Sequence, residues 1–224
     1  MGHIQQVKVW DPLVRTFHWS LVVLFTLAYV TGDDAETAHI WFGYIVLALL
    51  LLRVLWGLVG TQHARFSDFV YPVTVMLSYS KDMLLGRAKR YLGHNPLGGA
   101  MIMIMLVVLL LTCVTGIAAQ RADQQDVALT PAQPAIATID LVPAAWADGD
   151  RFESFESREA RTHDKEARKR NKALREIHEF FANLMLLLVV MHIGGVLLGS
   201  LMHRENLVRA MLNGRKRAEA SSEI

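Results

Sequence analysis

The sequence predicts an all-α membrane protein, organised as a single domain of four transmembrane helices over residues 1–224. The first observation is composition: hydrophobic residues make up 53% of the 224 residues and the mean hydropathy is +0.29, which is more apolar than an ordinary soluble domain. The second is the presence of four apolar runs, at about residues 14–31, 40–59, 97–119 and 176–203. Each run approaches the ~20 residues that a helix needs to cross a bilayer.

The first apolar run contains FHWSLVVLFTLAYVT and has two interpretations. Because Lys8 and Arg15 lie at or before its start, it resembles a secretory signal peptide with a charged beginning. Against this, no small-x-small cleavage site follows, and Trp10 in the preceding Trp-Asp-Pro segment is typical of an anchor at the membrane interface. We therefore expect this run to be the first span.

The second run contains one basic residue, Arg53, and the third, centred on MIMIMLVVLLLTCV, contains no charge. Cys113 in the third run is the sole cysteine, which excludes an intrachain disulfide, an iron–sulfur cluster bound by this chain's thiolates alone and covalent haem attachment through CxxCH. No GxGxxG or GxxxxGK[ST] motif opens a helix, so the sequence predicts no dinucleotide or ATP site. Nothing in it indicates nucleic-acid binding.

Charges in the connections indicate the orientation. The first connection, residues 32–38, has three acidic residues and no Lys or Arg, whereas the second connection and the C-terminal tail are basic. By the positive-inside rule, both termini and the second connection are cytoplasmic, and the first and third connections are external. We therefore expect a multi-pass protein in contact with membrane lipid.

The third connection, residues 120–175, is a long external segment of two parts. The part that reads LTPAQPAIATIDLVPAAW is rich in proline, which predicts a loop or short helices with Trp146 at the interface. After Asp150 there is no proline or glycine before the fourth run, and Glu166 and Arg170 have helical i,i+4 spacing. We expect the fourth span to extend outward as a charged helix, which is either a solvated surface or a docking edge for a periplasmic protein.

Four histidines in the spans carry the functional hypothesis. In HEFFANLMLLLVVMH, His178 and His192 lie 14 residues apart, which places them within about 40° on one helix face and ~21 Å apart along it. Under the predicted orientation, His18 matches the depth of His192 near the cytoplasmic side, and His39 matches His178 near the external side. Membrane-embedded histidine is costly, and neutral imidazole is an axial haem ligand. The pattern predicts two bis-histidine haem sites, although a single histidine would more often make an interhelical hydrogen bond.

Neighbouring residues fit a flat macrocycle between helices. Gly43 follows His39 by four residues, and Gly194 and Gly195 follow His192, so these positions either clear space for a cofactor or serve close helix packing. Arg15 and Arg53 lie near the cytoplasmic ends of their spans. They would pair either with haem propionates or with lipid phosphates, and the sequence leaves both interpretations open.

Four segments carry a resemblance to a known family: RTFHW, HIWFGYIVLALLLLRVLWGLVG, GHNPLGGAMIM and HEFFANLMLLLVVMH. In this order they resemble the bacterial cytochrome b561 group and the cytochrome b subunits of nickel-iron hydrogenases. The resemblance implies a four-helix cytochrome of the bacterial inner membrane that holds two b-type haems and exchanges electrons with the quinone pool. It places the ligands on His18, His39, His178 and His192. His94 in GHNP matches a family motif, where it would cap the third helix, pack in a loop or line a quinone pocket.

The sequence hypothesis is therefore electron relay by a di-haem b-type cytochrome, with no reaction at the iron because two imidazoles occupy both axial positions. The expected partners are quinone or quinol and a periplasmic c-type cytochrome or hydrogenase-like oxidoreductase, and the sequence is compatible with a homo-oligomer. Two alternatives remain: a self-contained quinol-dependent reductase or oxidase, and a haem-free ion transporter that uses histidine. A colourless preparation would favour the transporter.

Overall fold

The computed structural model describes residues 6–32, 35–129 and 156–218, and within them the chain is mostly helical. The order is β1 (Gln6–Lys8), α1 (Pro12–Val30), α2 (Glu36–Val59), two short 3-10 helices (Gln62–Ala64 and Phe66–Asp68), α3 (Val73–Leu84), α4 (Pro96–Leu129), α5 (Glu156–Met202), α6 (Leu207–Asn213) and β2 (Arg215–Arg217). The contacts divide the chain into two compact units, residues 1–113 with 181–224, and residues 114–180.

Four of the described helices are long and apolar enough to cross a membrane: Pro12–Val30, Glu36–Val59, Pro96–Gln125 and Lys165–Met202. They correspond to the four predicted spans. The second begins earlier than expected, because Glu36 already starts α2. The third and fourth continue into the predicted external segment, since α4 ends at Leu129 and α5 begins at Glu156. The proline-rich part with Trp146 lies outside the described residues.

The core of the first unit is apolar and draws on all four long helices. Leu50 of α2, Leu109 of α4 and Met185 of α5 are almost fully buried, and Phe25 of α1 packs against this cluster. On the outer surface, large apolar side chains are widely exposed, as at Val59 with 78% of its surface accessible. Helices that are apolar both in the core and on the outer surface are expected of a protein surrounded by lipid.

Short polar side chains set where the helices begin. Asp11 Oδ1 accepts from Val14 N at 2.8 Å, directly before Pro12 opens α1. Asn95 Oδ1 accepts from Gly98 N at 2.7 Å at the start of α4. Both are standard N-cap bonds. The α4 cap therefore comes from Asn95, and not from His94 as one interpretation of GHNP held.

Two strands and two shorter α-helices were missed by the sequence analysis. The strands β1 and β2 form an antiparallel pair in which Gln6 faces Arg217, so the chain is not purely helical. The helix α3 is amphipathic, with Val73 and Leu77 exposed on one side and Tyr79 buried on another. The short helix α6 leads into β2 through Gly214, whose φ of +78° is the left-handed geometry that favours glycine.

Candidate functional site

The first unit brings His18 and His192 together, and we call them the inner histidine pair. His18 lies in the first half of α1 and His192 lies near the end of α5. Their ring centroids are 6.4 Å apart and the rings are tilted by 51°. Two imidazoles that bind one iron through one nitrogen each, at a metal–nitrogen distance of about 2 Å, have centroids about 6 Å apart. The spacing of the pair therefore suits two axial ligands of one haem.

The surroundings of the inner histidine pair fit the same group. Nδ1 of His18 is buried and has no hydrogen-bond partner, so a polar atom is held in the interior without compensation. A Cβ added at Gly194 or Gly195, beside His192, would meet no described atom within 4 Å, and the same holds for Gly43 near His39. These glycines do not serve close packing against another described helix. Gly194 and Gly195 are themselves exposed, so the open space beside them reaches the outer surface of the helices.

Arg53 lies inside the protein and not at the lipid surface. It is 4% exposed, its guanidinium carbon lies 5.2 Å from the centroid of the Phe66 ring, and its NH1 group has no hydrogen-bond partner. Phe66 can approach this closely because Gly57, one turn after Arg53, has no side chain: an added Cβ would overlap the Phe66 ring. A buried guanidinium with an unpaired NH group lacks one hydrogen-bond acceptor. Of the two interpretations, the geometry favours pairing with an internal anion over pairing with lipid phosphate.

Arg15 is held differently. Its NH1 group donates to the Leu212 carbonyl of α6, while its Nε atom is buried without a partner. Arg15 precedes His18 by three residues, which is nearly one helical turn. It therefore ties α6 to the start of α1 and keeps one donor, Nε, without a partner.

His39, in the first unit, is oriented by the backbone of α1. Its Nδ1 atom lies 2.8 Å from the Ala28 carbonyl oxygen. A carbonyl only accepts, so the hydrogen is on Nδ1 and the lone pair is on Nε2. Histidines that bind metals are commonly fixed in this way, because the bond selects the tautomer and the ring orientation.

His178 belongs to the second unit, where α4 holds it. Thr115 Oγ1 lies 3.4 Å from its Nδ1 atom. A Cβ added at Gly116 would lie 2.9 Å from Cε1 and 3.1 Å from Nδ1 of this ring, so only glycine at position 116 leaves room for the imidazole. Farther along the same two helices, Arg175 and Asp123 form an ion pair at 2.7 Å.

The predicted pairing of His39 with His178 joins residues of different compact units, and it stays a prediction. Within the described residues, no group of three or more His, Cys, Asp or Glu side chains could hold a metal ion. A metal bound mainly by protein side chains is therefore not indicated there. A haem needs only two protein ligands, because the porphyrin supplies the rest.

His94 lies in an aromatic stack that sequence reasoning did not predict, and its Nδ1 atom is buried. Its ring centroid lies 4.4 Å from that of Trp10 and 4.7 Å from that of Phe69. Burial is the largest cause that lowers the pKa of His94, to about 3, and the nearby charges of Lys216 and Arg53 act in the same direction. The ring is therefore neutral at physiological pH. Only the GHNP motif pointed to His94, because its neighbours come from distant parts of the chain.

Comparison with known proteins gives a consistent family. The family model described as prokaryotic cytochrome b561 matches residues 9–214. A protein of Azotobacter vinelandii named as a probable Ni/Fe-hydrogenase B-type cytochrome subunit is 32% identical over 142 residues, which cover 50% of this chain and 58% of that protein. A protein of the same name from Rhizobium leguminosarum bv. viciae is 27% identical over 143 residues, covering 51% and 59%.

The chain thus spans less than two thirds of the length of these curated relatives. No solved structure matches it at a significant level. What the comparisons establish is the family and its multi-pass, mostly helical membrane architecture.

Proposed function

This chain belongs to the prokaryotic cytochrome b561 family, and from that premise we propose that it is a di-haem b-type cytochrome. In this proposal it carries electrons across the bacterial inner membrane between the quinone pool and a redox partner on the periplasmic side. It forms one domain over residues 1–224 and acts as a non-catalytic electron-transfer subunit of an oxidoreductase system.

The observation that carries the proposal is the inner histidine pair. Residues separated by 174 positions, His18 and His192, lie with their ring centroids 6.4 Å apart, close to the separation that two axial ligands of one iron require. Haem b, when bound with two imidazoles, supplies a one-electron couple with no open coordination position. The apolar core around Leu50 and Leu109 excludes water from this part of the bundle.

His39 and His178 are proposed as the ligands of the second haem, near the periplasmic side. The Ala28 carbonyl bond of His39 supports this assignment, since it leaves the lone pair on Nε2. The close approach of Gly116 to His178 supports it as well. Both residues are oriented by neighbouring helices, as a ligand with a fixed coordination direction has to be.

Arg53 and Arg15 are proposed to bind haem carboxylates near the inner histidine pair. Arg53 is 4% exposed and has an unpaired NH1 group, and Arg15 has an unpaired Nε atom. Charge-assisted bonds from guanidinium to carboxylate would satisfy both donors.

For the partner, we propose a periplasmic c-type cytochrome or a hydrogenase-like oxidoreductase, because the relatives above are named as probable Ni/Fe-hydrogenase B-type cytochrome subunits. Residues 165–176 carry six basic and two acidic side chains, and we call this stretch the basic segment. Its basic side chains are exposed, and they begin within about 5 Å of His178 along α5 and extend about 20 Å from it. They favour a partner with an acidic docking face.

The proposed orientation places both termini and the α2–α3–α4 connections in the cytoplasm. The exposed basic residues Arg65, Arg87 and Lys89 lie in these connections, as the positive-inside rule requires. The exposed apolar side of α3 would then rest in the inner leaflet, and quinone would exchange from the membrane.

The test is a redox difference spectrum of the purified full chain with haem quantification. We expect a low-spin ferrous b-type spectrum and about two haems per chain. His192→Ala should lose one haem and keep the other, whereas His63→Ala, which removes a histidine bound to Asp68 at 2.9 Å, should keep both. A colourless wild-type preparation would refute the proposal and favour the ion transporter.

A further inference from the structure

Six side chains from distant parts of the chain form a continuous row at one end of the first unit. Phe69 packs on Phe66 with ring centroids 5.9 Å apart, and His94 lies between Phe69 and Trp10. The two ends of the row are cations: Lys216 Nζ lies 5.6 Å from the Trp10 ring, and Arg53 Cζ lies 5.2 Å from the Phe66 ring. We call this arrangement the cation–aromatic row.

The row contains polar atoms that the protein does not satisfy. Nδ1 of His94 and NH1 of Arg53 are both buried and have no hydrogen-bond partner. His94 is neutral because burial and neighbouring cations lower its pKa, so one ring nitrogen donates a hydrogen and the other accepts one, depending on the tautomer. Buried polar groups without partners are rare in native proteins, and each one requires an explanation.

Among the described residues, no acid bonds the two cations of the row directly. Arg53 and Lys216 are 4% and 6% exposed, and the acids whose charges act on them are Asp11 and Glu205. Asp11 accepts from Val14 N, Trp56 Nε1 and Thr61 Oγ1, and Glu205 accepts from Arg90. A ligand that satisfies the row should therefore bring a negatively charged oxygen.

We infer that His94 and Arg53 form a carboxylate-binding site, and that His94 is a cofactor-binding residue whose Nδ1 donates to a propionate of the haem held by His18 and His192. This inference rests on the proposed function. It adds His94 to the cofactor-binding residues, and the cation–aromatic row would hold His94 and Arg53 in position to bind the carboxylate. His94 packs on Trp10, which lies two residues before the start of α1, the helix that contains His18.

The burial of the row argues against the other anions of a membrane. A lipid phosphate stays at the water interface, whereas Arg53 is 4% exposed and the Nδ1 atom of His94 is buried. A quinone carbonyl would accept from a neutral donor but would bring no negative charge to Arg53. A haem propionate supplies both an acceptor and a charge from inside the bundle.

The test uses the purified full chain with its haems and three variants. His94→Phe keeps an aromatic ring in the row and removes the donor. His94→Asn places an amide where Nδ1 lies and keeps a donor. His63→Asn is the matched control, because His63 lies at the same end of the unit and its Nδ1 atom is already bonded to Asp68.

The readouts are haem content, the propionate bending band in the resonance Raman spectrum and the midpoint potential of each haem. We expect His94→Phe to retain both haems, to shift the propionate band of one haem and to lower its potential. A donor to the propionate offsets negative charge and so raises the midpoint potential of the haem; removing the donor therefore lowers that potential. A tenfold change in the reduction equilibrium corresponds to about 59 mV for one electron. His94→Asn should restore most of the wild-type band, and His63→Asn should not move it.

An unchanged band and potential in His94→Phe, with a raised KM for quinol, would overturn the inference and assign the site to quinone. A band shift that appears only in vesicles with anionic phosphatidylglycerol would overturn it in favour of a lipid headgroup. If His94→Phe does not fold, Arg53→Gln provides the same comparison from the other side of the site. Wild-type protein with two haems and no response to these variants refutes this inference alone, whereas wild-type protein without haem refutes the proposed function.

Discussion

Replacing Gly116 with alanine tests whether His178 is a cofactor ligand. The added Cβ would lie 2.9 Å from Cε1 of His178, whereas ordinary contacts begin at 3.4 Å. The imidazole therefore has to move by about 0.5 Å. Metal sites hold ligand distances to within about 0.2 Å, so this displacement exceeds what the bond tolerates.

We expect Gly116→Ala to weaken binding of one haem by about 10- to 100-fold, the range found when residues that orient a ligand are changed. This corresponds to about 1.4–2.7 kcal/mol of binding free energy. The haem held by the inner histidine pair should remain, because His18 and His192 belong to the other compact unit.

The assay combines haem quantification with electron paramagnetic resonance of the oxidised protein, in which each bis-histidine haem gives its own low-spin signal. Haem content should fall from about two toward one per chain, with loss of one signal. Gly199→Ala is the control, since its Cβ would meet a flexible methyl of Leu207 at 3.3 Å. Two haems and two unchanged signals in Gly116→Ala would refute the assignment of His178.

Two further predictions concern charge. Lys169→Glu combined with Lys172→Glu should slow electron exchange with an acidic c-type cytochrome by about tenfold at low salt and less at high salt, since exposed charges mainly steer association. The exchange rate is measured by stopped flow, and the control variant Lys89→Glu should show no such loss. Equal losses in both variants would rule out docking at the basic segment. Burial raises the pKa of Glu205, but bonds from Arg90 and Arg217 outweigh it and leave the pKa below its usual value. Glu205 therefore stabilises the fold above its unfolded pKa, and this contribution is lost as pH falls through the folded pKa. Thermal unfolding between pH 7 and pH 3 should show that loss reduced in Glu205→Gln, and an identical pH dependence in both proteins would contradict the assignment.

The spans could be predicted because a bilayer imposes a length and a composition that are visible in one dimension. Their continuation was harder to place. The α4 helix continues through Arg121 and Asp123. Charged residues mark the end of an apolar run in the sequence, but they are compatible with a helix that continues. For α5 the prediction succeeded, because the stretch before the fourth run has no proline or glycine and α5 extends back to Glu156.

The strands and α3 were missed for other reasons. Strand β2 consists of Arg215, Lys216 and Arg217, residues with little strand preference, and it forms only because Gln6–Lys8 offers a partner about 200 residues away. Propensity describes local preference, so it does not detect a strand that exists through one long-range pairing. In the second connection the basic residues gave the stronger sequence signal, and the amphipathic period of α3 was not predicted.

The candidate site could likewise be predicted only in part from the sequence. Depth along each span was sufficient to pair His18 with His192, because a membrane fixes the axial coordinate of every span residue. The rotation of each helix was not available from sequence, so the closeness of Gly116 to His178 and the burial of Arg53 could not be predicted. The Arg53 alternatives, propionate or lipid phosphate, differ only in whether the guanidinium points inward.

The contacts that fix the inner histidine pair lie largely outside the spans. Gly214 O accepts from the backbone nitrogens of Val9 and Trp10 at 2.9 and 3.1 Å, and Trp10 packs on His94. The next residue, Asp11, caps α1 and binds Trp56 at the end of α2. The start of α1 is thereby fixed against both α2 and β2, and with it the height of His18 in the bundle. The level of His18 is therefore fixed by polar bonds at the start of α1, outside the apolar part of the helix.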